Sequence, residues 1–179
     1  MTLPRRQLFR LIAAFGLALL IAACARLTVP MVPVPMTLQT WAVLLTGIVL
    51  GPRWGAAAVL LYLGMAVAGL PVLSDGASGL DRFTGPTAGY LFAFPVAAAL
   101  AGLLAGTGCL RRFVPASVWL LGLHLLILAL GTAWLAGRMG LPAALAAGFT
   151  PFLIGAAVKS ILVVIAARAL SAARGLRRG

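Results

Sequence analysis

Val114-Pro-Ala-Ser-Val-Trp-Leu-Leu-Gly-Leu-His-Leu-Leu-Ile-Leu-Ala-Leu-Gly-Thr-Ala-Trp-Leu-Ala136 decides the class of fold. The run holds no Lys, Arg, Asp or Glu, and it is apolar on every side of a helix. Its length matches the ~20 residues that carry a helix across ~30 Å of hydrocarbon. Five further runs of the same kind fill most of the chain: Leu8 to Ala25, Thr37 to Leu50, Trp54 to Leu70, Thr87 to Ala105, and Phe149 to Leu170. Composition agrees with them. Of 179 residues, 63% are hydrophobic and 9% are charged, where a soluble domain carries roughly a quarter charged. Mean hydropathy is +1.14. Too few polar residues remain to cover a water-facing surface, so the bilayer is the solvent. We expect an all-α integral membrane protein, one domain over residues 1–179, built as a six-helix bundle.

The net charge of +12 marks topology rather than a nucleic-acid surface, because the arginines lie between and beyond the apolar runs. One side gathers ten: Arg5, Arg6, Arg10, Arg53, Arg111, Arg112, Arg168, Arg174, Arg177 and Arg178. The other gathers three, Arg26, Arg82 and Arg138, with the only acids, Asp75 and Asp81. Cytoplasmic loops carry the excess of Lys and Arg, so both termini are expected inside. Cys24 and Cys109 then fall on opposite faces and do not pair.

The connections differ in a way that bears on function. The inner ones are brief, whereas two outer ones are elaborate. Arg26 to Met36 holds Pro30, Pro33 and Pro35 and cannot be helical. Pro71 to Pro86 is rich in Gly and Ser and carries both acids. Long irregular loops in a compact protein usually form lids or binding loops. A site opening outward is expected.

Two signals mislead. Arg5, Arg6 and Arg10 ahead of an apolar run ending in Ile21-Ala22-Ala23-Cys24 look like a bacterial lipoprotein signal, cleaved before Cys24. Cleavage would leave five spans with termini on opposite faces, against the arginines after Leu170. Gly155 to Ser160 faintly echoes a phosphate loop, but it lacks the Gly before Lys159 and a preceding strand. With no nucleotide motif, the chain is not expected to hydrolyse ATP. Catalysis is poorly supplied too: there is one His, no Glu, and two Asp in one loop. His124 lacks partners for a metal, and we read it as a packed histidine bonded to a neighbouring helix.

Lys159 is the most informative residue. An ionisable group inside a span normally faces the bundle interior and meets a partner or ligand. It would pair with an outer-loop acid or snorkel if structural, and meet the polar part of a ligand if functional. Pro151 and Gly155 suggest an interrupted helix entry beside it. Tyr90 is either an interfacial anchor or a pocket-lining ring. Asp81 and Arg82 are either solvated loop charges or site residues. Gln39 and Thr40 serve a ligand or bond to neighbouring helices. Ala14, Ala18 and Ala22 form a small-residue ridge that lets a helix approach closely, from a partner or from the bundle itself.

Val32-Pro-Val-Pro-Met-Thr-Leu-Gln-Thr40, Leu50-Gly-Pro-Arg-Trp-Gly55, Gly69-Leu-Pro-Val72, Gly85-Pro-Thr-Ala-Gly-Tyr-Leu91, and Pro151-Phe-Leu153 through Gly155 to Lys159 together resemble the BioY family. These proteins are the biotin-binding S components of energy-coupling-factor (ECF) transporters. The resemblance runs in order over most of the chain. It implies a multi-pass protein of the bacterial cytoplasmic (inner) membrane that captures biotin from outside. The partners it implies are a transmembrane coupling protein, two ABC-type ATPases and membrane lipid. Biotin would be the transported ligand, and no cofactor is implied. The resemblance places Lys159, Tyr90 and the long loop in the biotin pocket, with Arg82, Asp81, Asp75, Gln39 and Thr87 as further candidates. It also gives the alanine ridge a docking role. Many relatives carry Pro-Gly-Asp where this chain has Ile154-Gly155-Ala156, so another acceptor, from Asp75, Asp81, Gln39 or a backbone carbonyl, must serve a ureido N–H. An S component for another vitamin, or a lipid-anchored protein with no small ligand, are the rival expectations. Homo-oligomerisation is left open by the sequence.

Overall fold

A computed structural model describes residues 4–176, apart from the side chains of residues 174–176. Arg177 and Arg178, and the side chain of Arg174, which entered the topology argument, lie outside the described residues. The chain is mostly helical. In order it forms α1 (Arg5–Ala25), a two-residue strand β1 (Thr28–Val29), β2 (Met36–Thr37), α2 (Gln39–Leu50), α3 (Pro52–Val67), α4 (Ala88–Gly106), α5 (Phe113–Met139), α6 (Leu141–Gly148) and α7 (Leu153–Leu176). Among the described residues, four helical stretches are long and apolar enough to cross a membrane: α1, α4, α5, and a stretch running from Leu141 to Ala173. Helices α2 and α3 are apolar but shorter, at 12 and 16 residues.

The shortness of α2 has a structural reason. Twelve residues rise only about 18 Å, and the proline-rich segment directly before Gln39 is held out of helix by its prolines. Met31, Pro33, Val34, Pro35 and Thr37 of that segment line a cavity. The segment leaves α1 and returns antiparallel to itself, with Thr28 opposite Thr37 and Val29 opposite Met36. Its Pro content keeps it out of helix, as expected, while this pairing was not foreseen.

Helix α4 is the hub, packed against α2, α3 and α5; α1 lies on α2 and α3, and α7 on α5 and α2. Close approaches need glycine. A side chain at Gly47 would strike the Ala98 backbone, and one at Gly131 would occupy the ring of Tyr90. Gly51 (φ +80°) turns the chain between α2 and α3, and Pro52 opens α3 at a position where its missing N–H is harmless.

Several expectations need correction. The fifth run reaches Met139 rather than Ala136, because Gly140 (φ +80°) makes the break. Residues 141–148, read as connection, form α6, and α7 begins at Leu153 rather than Phe149, after a 3-10 turn at Thr150–Phe152. The third run stops at Val67, with Gly69 in a left-handed conformation (φ +89°). The alanine ridge of α1, expected to meet a partner or the bundle itself, faces the bundle. Ala14 is 5% and Ala18 0% exposed, and Ala22 is half-buried, so α2 and α3 already cover the ridge. The open face of α1 carries Leu8, Phe9, Leu11, Ile12, Phe15 and Leu19 instead. Cys24 is buried in α1 and Cys109 is partly exposed; both thiols are free.

Candidate ligand-binding site

A chamber of about 620 Å³ opens at the end of the bundle where the two irregular segments meet. Its walls come from the proline-rich segment, the connection from Leu73 to Thr87, and α2, α4, α5 and α7. Ligand cavities commonly run about 300–1,000 Å³, apolar with a few placed polar groups. Phe94, Leu128, Phe152 and Ala156 supply apolar wall, while Lys159, Asp75, Asp81, Arg82, Thr87 and His124 supply polar groups.

Lys159 reaches this chamber from α7 and donates from Nζ to the Thr37 carbonyl at 3.1 Å. It therefore faces the bundle interior, and its recorded partner is a neutral carbonyl rather than either loop acid. Thr37 is the end of a longer relay. Its hydroxyl donates to Gln39 Oε1 (3.2 Å), Gln39 Nε2 donates to the Tyr62 hydroxyl oxygen (2.7 Å), and Tyr62 donates to the Val72 carbonyl (3.2 Å). Lys159 is thus connected, through α2 and α3, to the start of the long connection. Gln39 lines the chamber, yet both ends of its amide are spent on this relay. Tyr62 was missed in the sequence. The signal was available, since it is one of two tyrosines and a phenol inside an apolar helix needs a partner.

Tyr90 is buried and not an interfacial anchor. It lines the chamber, but its hydroxyl points to structure: it donates to the Gly148 carbonyl at 2.7 Å and lies 3.3 Å from Thr132 Oγ1. That ties α4 to α5 and to the end of α6, fixing the broken entry to α7. Thr87 precedes α4, and its carbonyl accepts from the N–H groups of Tyr90 and Leu91. The long connection is held from both sides. Arg26 donates to the Pro71 carbonyl (2.6 Å), Trp134 Nε1 to the Gly85 carbonyl (3.0 Å), and Arg138 to the Thr84 carbonyl. These arginines, counted above only for topology, clasp the roof. Asp75 sits there with φ +56°, a left-handed conformation that Asp tolerates better than most residues. At Ala156 no carboxylate faces the cavity, only a methyl that is 2% exposed.

Fold and site define a class: a helical membrane protein with an internal chamber roofed by ordered loops and sized for one small molecule. The comparisons sharpen it. The BioY family model matches residues 3–175. The probable biotin transporter BioY of Pyrococcus horikoshii is 39% identical over 146 residues, covering 82% of this chain and 86% of that protein. The biotin transporter BioY2 of Lactococcus lactis subsp. cremoris is 40% identical over 158 residues, covering 86% and 85%. A crystal structure of the S component for biotin from an ECF-type ABC transporter superposes with a TM-score of 0.82 at 26% identity, covering 96% of this chain and 95% of that one. The chain belongs to the BioY family. It is a multi-pass membrane protein and not an enzyme. The match includes the whole of α1.

Proposed function

We propose that this protein captures biotin as the S component of an ECF-type transporter. It sits in a bacterial cytoplasmic membrane with six spans, the sixth formed by α7 with its α6 entry, and both termini inside. The observation that carries this is Lys159, an ammonium inside a roofed apolar chamber, in a chain that superposes on a biotin S component. Biotin suits the lining. Its bicycle is compact and apolar, and its ureido edge and carboxylate need only a few polar partners. Lys159 and Arg82 serve an anionic or carbonyl oxygen, since charge-assisted hydrogen bonds to such groups are the strong ones. Asp75 and Asp81, in the roof, are the acceptors available for an N–H. Gln39, Tyr90 and Thr87 shape the pocket. A transmembrane coupling protein and two ABC-type ATPases supply the energy, because this chain carries no nucleotide motif.

Titrating purified protein with biotin is the test. Saturable binding of one biotin per chain is expected, with no displacement by excess of an unrelated vitamin such as thiamine. Absence of saturable binding, or displacement by thiamine, would reject biotin as the ligand. Orientation is checked on the same protein. Cys109 is the partly exposed cysteine and Cys24 is buried, so a membrane-impermeant maleimide should label inside-out vesicles and leave right-side-out vesicles unlabelled. The reverse pattern would invert the topology.

A further inference from the structure

Tyr62 is fully buried on α3 and stands behind the chamber wall rather than in it. A phenylalanine would fill the same space, and a buried hydroxyl is costly unless it is bonded. This one is bonded twice. Its oxygen lies 2.7 Å from Gln39 Nε2, and it donates to the Val72 carbonyl at 3.2 Å. Each partner leads to a different wall of the chamber. Gln39 holds Thr37 at two points: its backbone N–H donates to the Thr37 hydroxyl oxygen at 3.3 Å, and its Oε1 lies 3.2 Å from that hydroxyl. The carbonyl of Thr37 is the one that receives the Lys159 amine, at 3.1 Å. Val72, on the other arm, directly precedes Leu73, which is 3% exposed and lines the chamber with Ser74 and Asp75. The carbonyl before it, that of Pro71, is held by Arg26. The roof therefore starts from two successive fixed carbonyls, one gripped by an exposed arginine and one by a buried phenol.

We propose that Tyr62 is a positioning residue for ligand capture: without touching the ligand, its hydroxyl ties the Val72 end of the roof to the Thr37 carbonyl that aims the Lys159 amine, so that roof and amine take up their places together. The proposal rests on biotin being the ligand of this chamber. A lysine side chain gives up rotamer freedom when its amine is fixed, and fixing it before the ligand arrives lowers the cost of binding. The Thr37 carbonyl does this only if its own residue is held, and Gln39 and Tyr62 hold it from behind. The same hydroxyl seats the roof, so a ligand that engages Lys159 meets a roof already in place. Without the hydroxyl, the Gln39 amide and the Val72 carbonyl each lose a partner and are free to turn. Amine and roof then lose their common anchor.

Tyr62→Phe keeps the ring and removes only this tie. Biotin affinity should fall about tenfold, the worth of one neutral hydrogen bond. A residue that acts through Lys159 costs less once that amine is gone, so in a Lys159→Met background the same change should cost under about threefold, as expected of members of one hydrogen-bond network. A merely structural tyrosine would lower the melting temperature and leave the two losses equal. Equal fold-losses in the two backgrounds, or an unchanged affinity in folded Tyr62→Phe, would overturn the proposal. A second measurement leaves Tyr62 in place. The chain has two tyrosines, so ¹³Cζ-tyrosine labelling of tag-free protein gives two phenol signals by NMR, told apart with Tyr90→Phe. The Tyr62 signal should shift when biotin fills the chamber, although Tyr62 does not line it. A Tyr62 signal indifferent to saturating biotin would also overturn the proposal, and it decides alone should Tyr62→Phe fail to fold. If the unaltered protein bound no biotin at all, the proposed function itself would fall, which the titration alone would reveal.

Discussion

Lys159→Met is expected to weaken biotin binding by about 10- to 100-fold while leaving the fold intact. The amine is a charged group facing the chamber, and a hydrogen bond to a charged group contributes about 1.5–3 kcal/mol, with each 1.4 kcal/mol worth tenfold in affinity. Its hydrogen-bond partner is the Thr37 carbonyl, and an ammonium inside a bundle is costly without a matching charge. Methionine fills the same volume with an apolar chain. The unmatched carbonyl it leaves is offset by ending the burial of a cation, so thermal unfolding should change little. A purely structural lysine predicts the opposite pair of results. Isothermal titration and a melting curve on one preparation separate them: unchanged affinity with a lowered melting temperature would remove Lys159 from the site.

Gly131→Ala is expected to cost the protein about 1–3 kcal/mol of stability, the range for overpacking a close-packed interior, and with it most of the biotin binding. A Cβ at Gly131 would fall on the Tyr90 ring. That ring cannot step aside freely, because its hydroxyl is held by Gly148 and Thr132. Relief must come from separating α4 and α5 or from releasing the end of α6, and both line or position the chamber. Gly122→Ala on the same helix is the control, since a Cβ there meets nothing within 4 Å. We expect its melting temperature to match the unaltered protein. Equal melting temperatures for the two variants would mean that Tyr90 does not wedge between these helices as described.

How much of this could be read from residues follows from what a pattern of spacing contains. The long apolar runs mark helices because each must satisfy its backbone internally in lipid, and α1, α4 and α5 lie within a few residues of their expected limits. Pro and Gly mark breaks, which is why the interrupted approach to Lys159 was legible. Residues 141–148 were not recognised as a separate helix, because an eight-residue apolar stretch beside a glycine looks like a loop until it packs on α5. The ridge of Ala14, Ala18 and Ala22 shows the limit most clearly. Spacing says which residues share a face and is silent on which helix meets that face, and here α2 and α3 do. The relay from Lys159 to Val72 joins four separate segments through Thr37, Gln39 and Tyr62, and no single window of sequence contains it. The same holds for His124, whose bond to a neighbouring helix was expected but whose partner, Ser160 on α7, could not be picked out from spacing.

That the chamber beside Lys159 is where biotin rests is tested most directly by an atomic structure of the protein with biotin bound. The bicycle should lie within the chamber beneath the Leu73–Thr87 connection, with an oxygen of the ligand about 3 Å from Lys159 Nζ. Biotin seated elsewhere, or a chamber still empty at saturating biotin with the Lys159 amine turned toward lipid or cytoplasm, would contradict it.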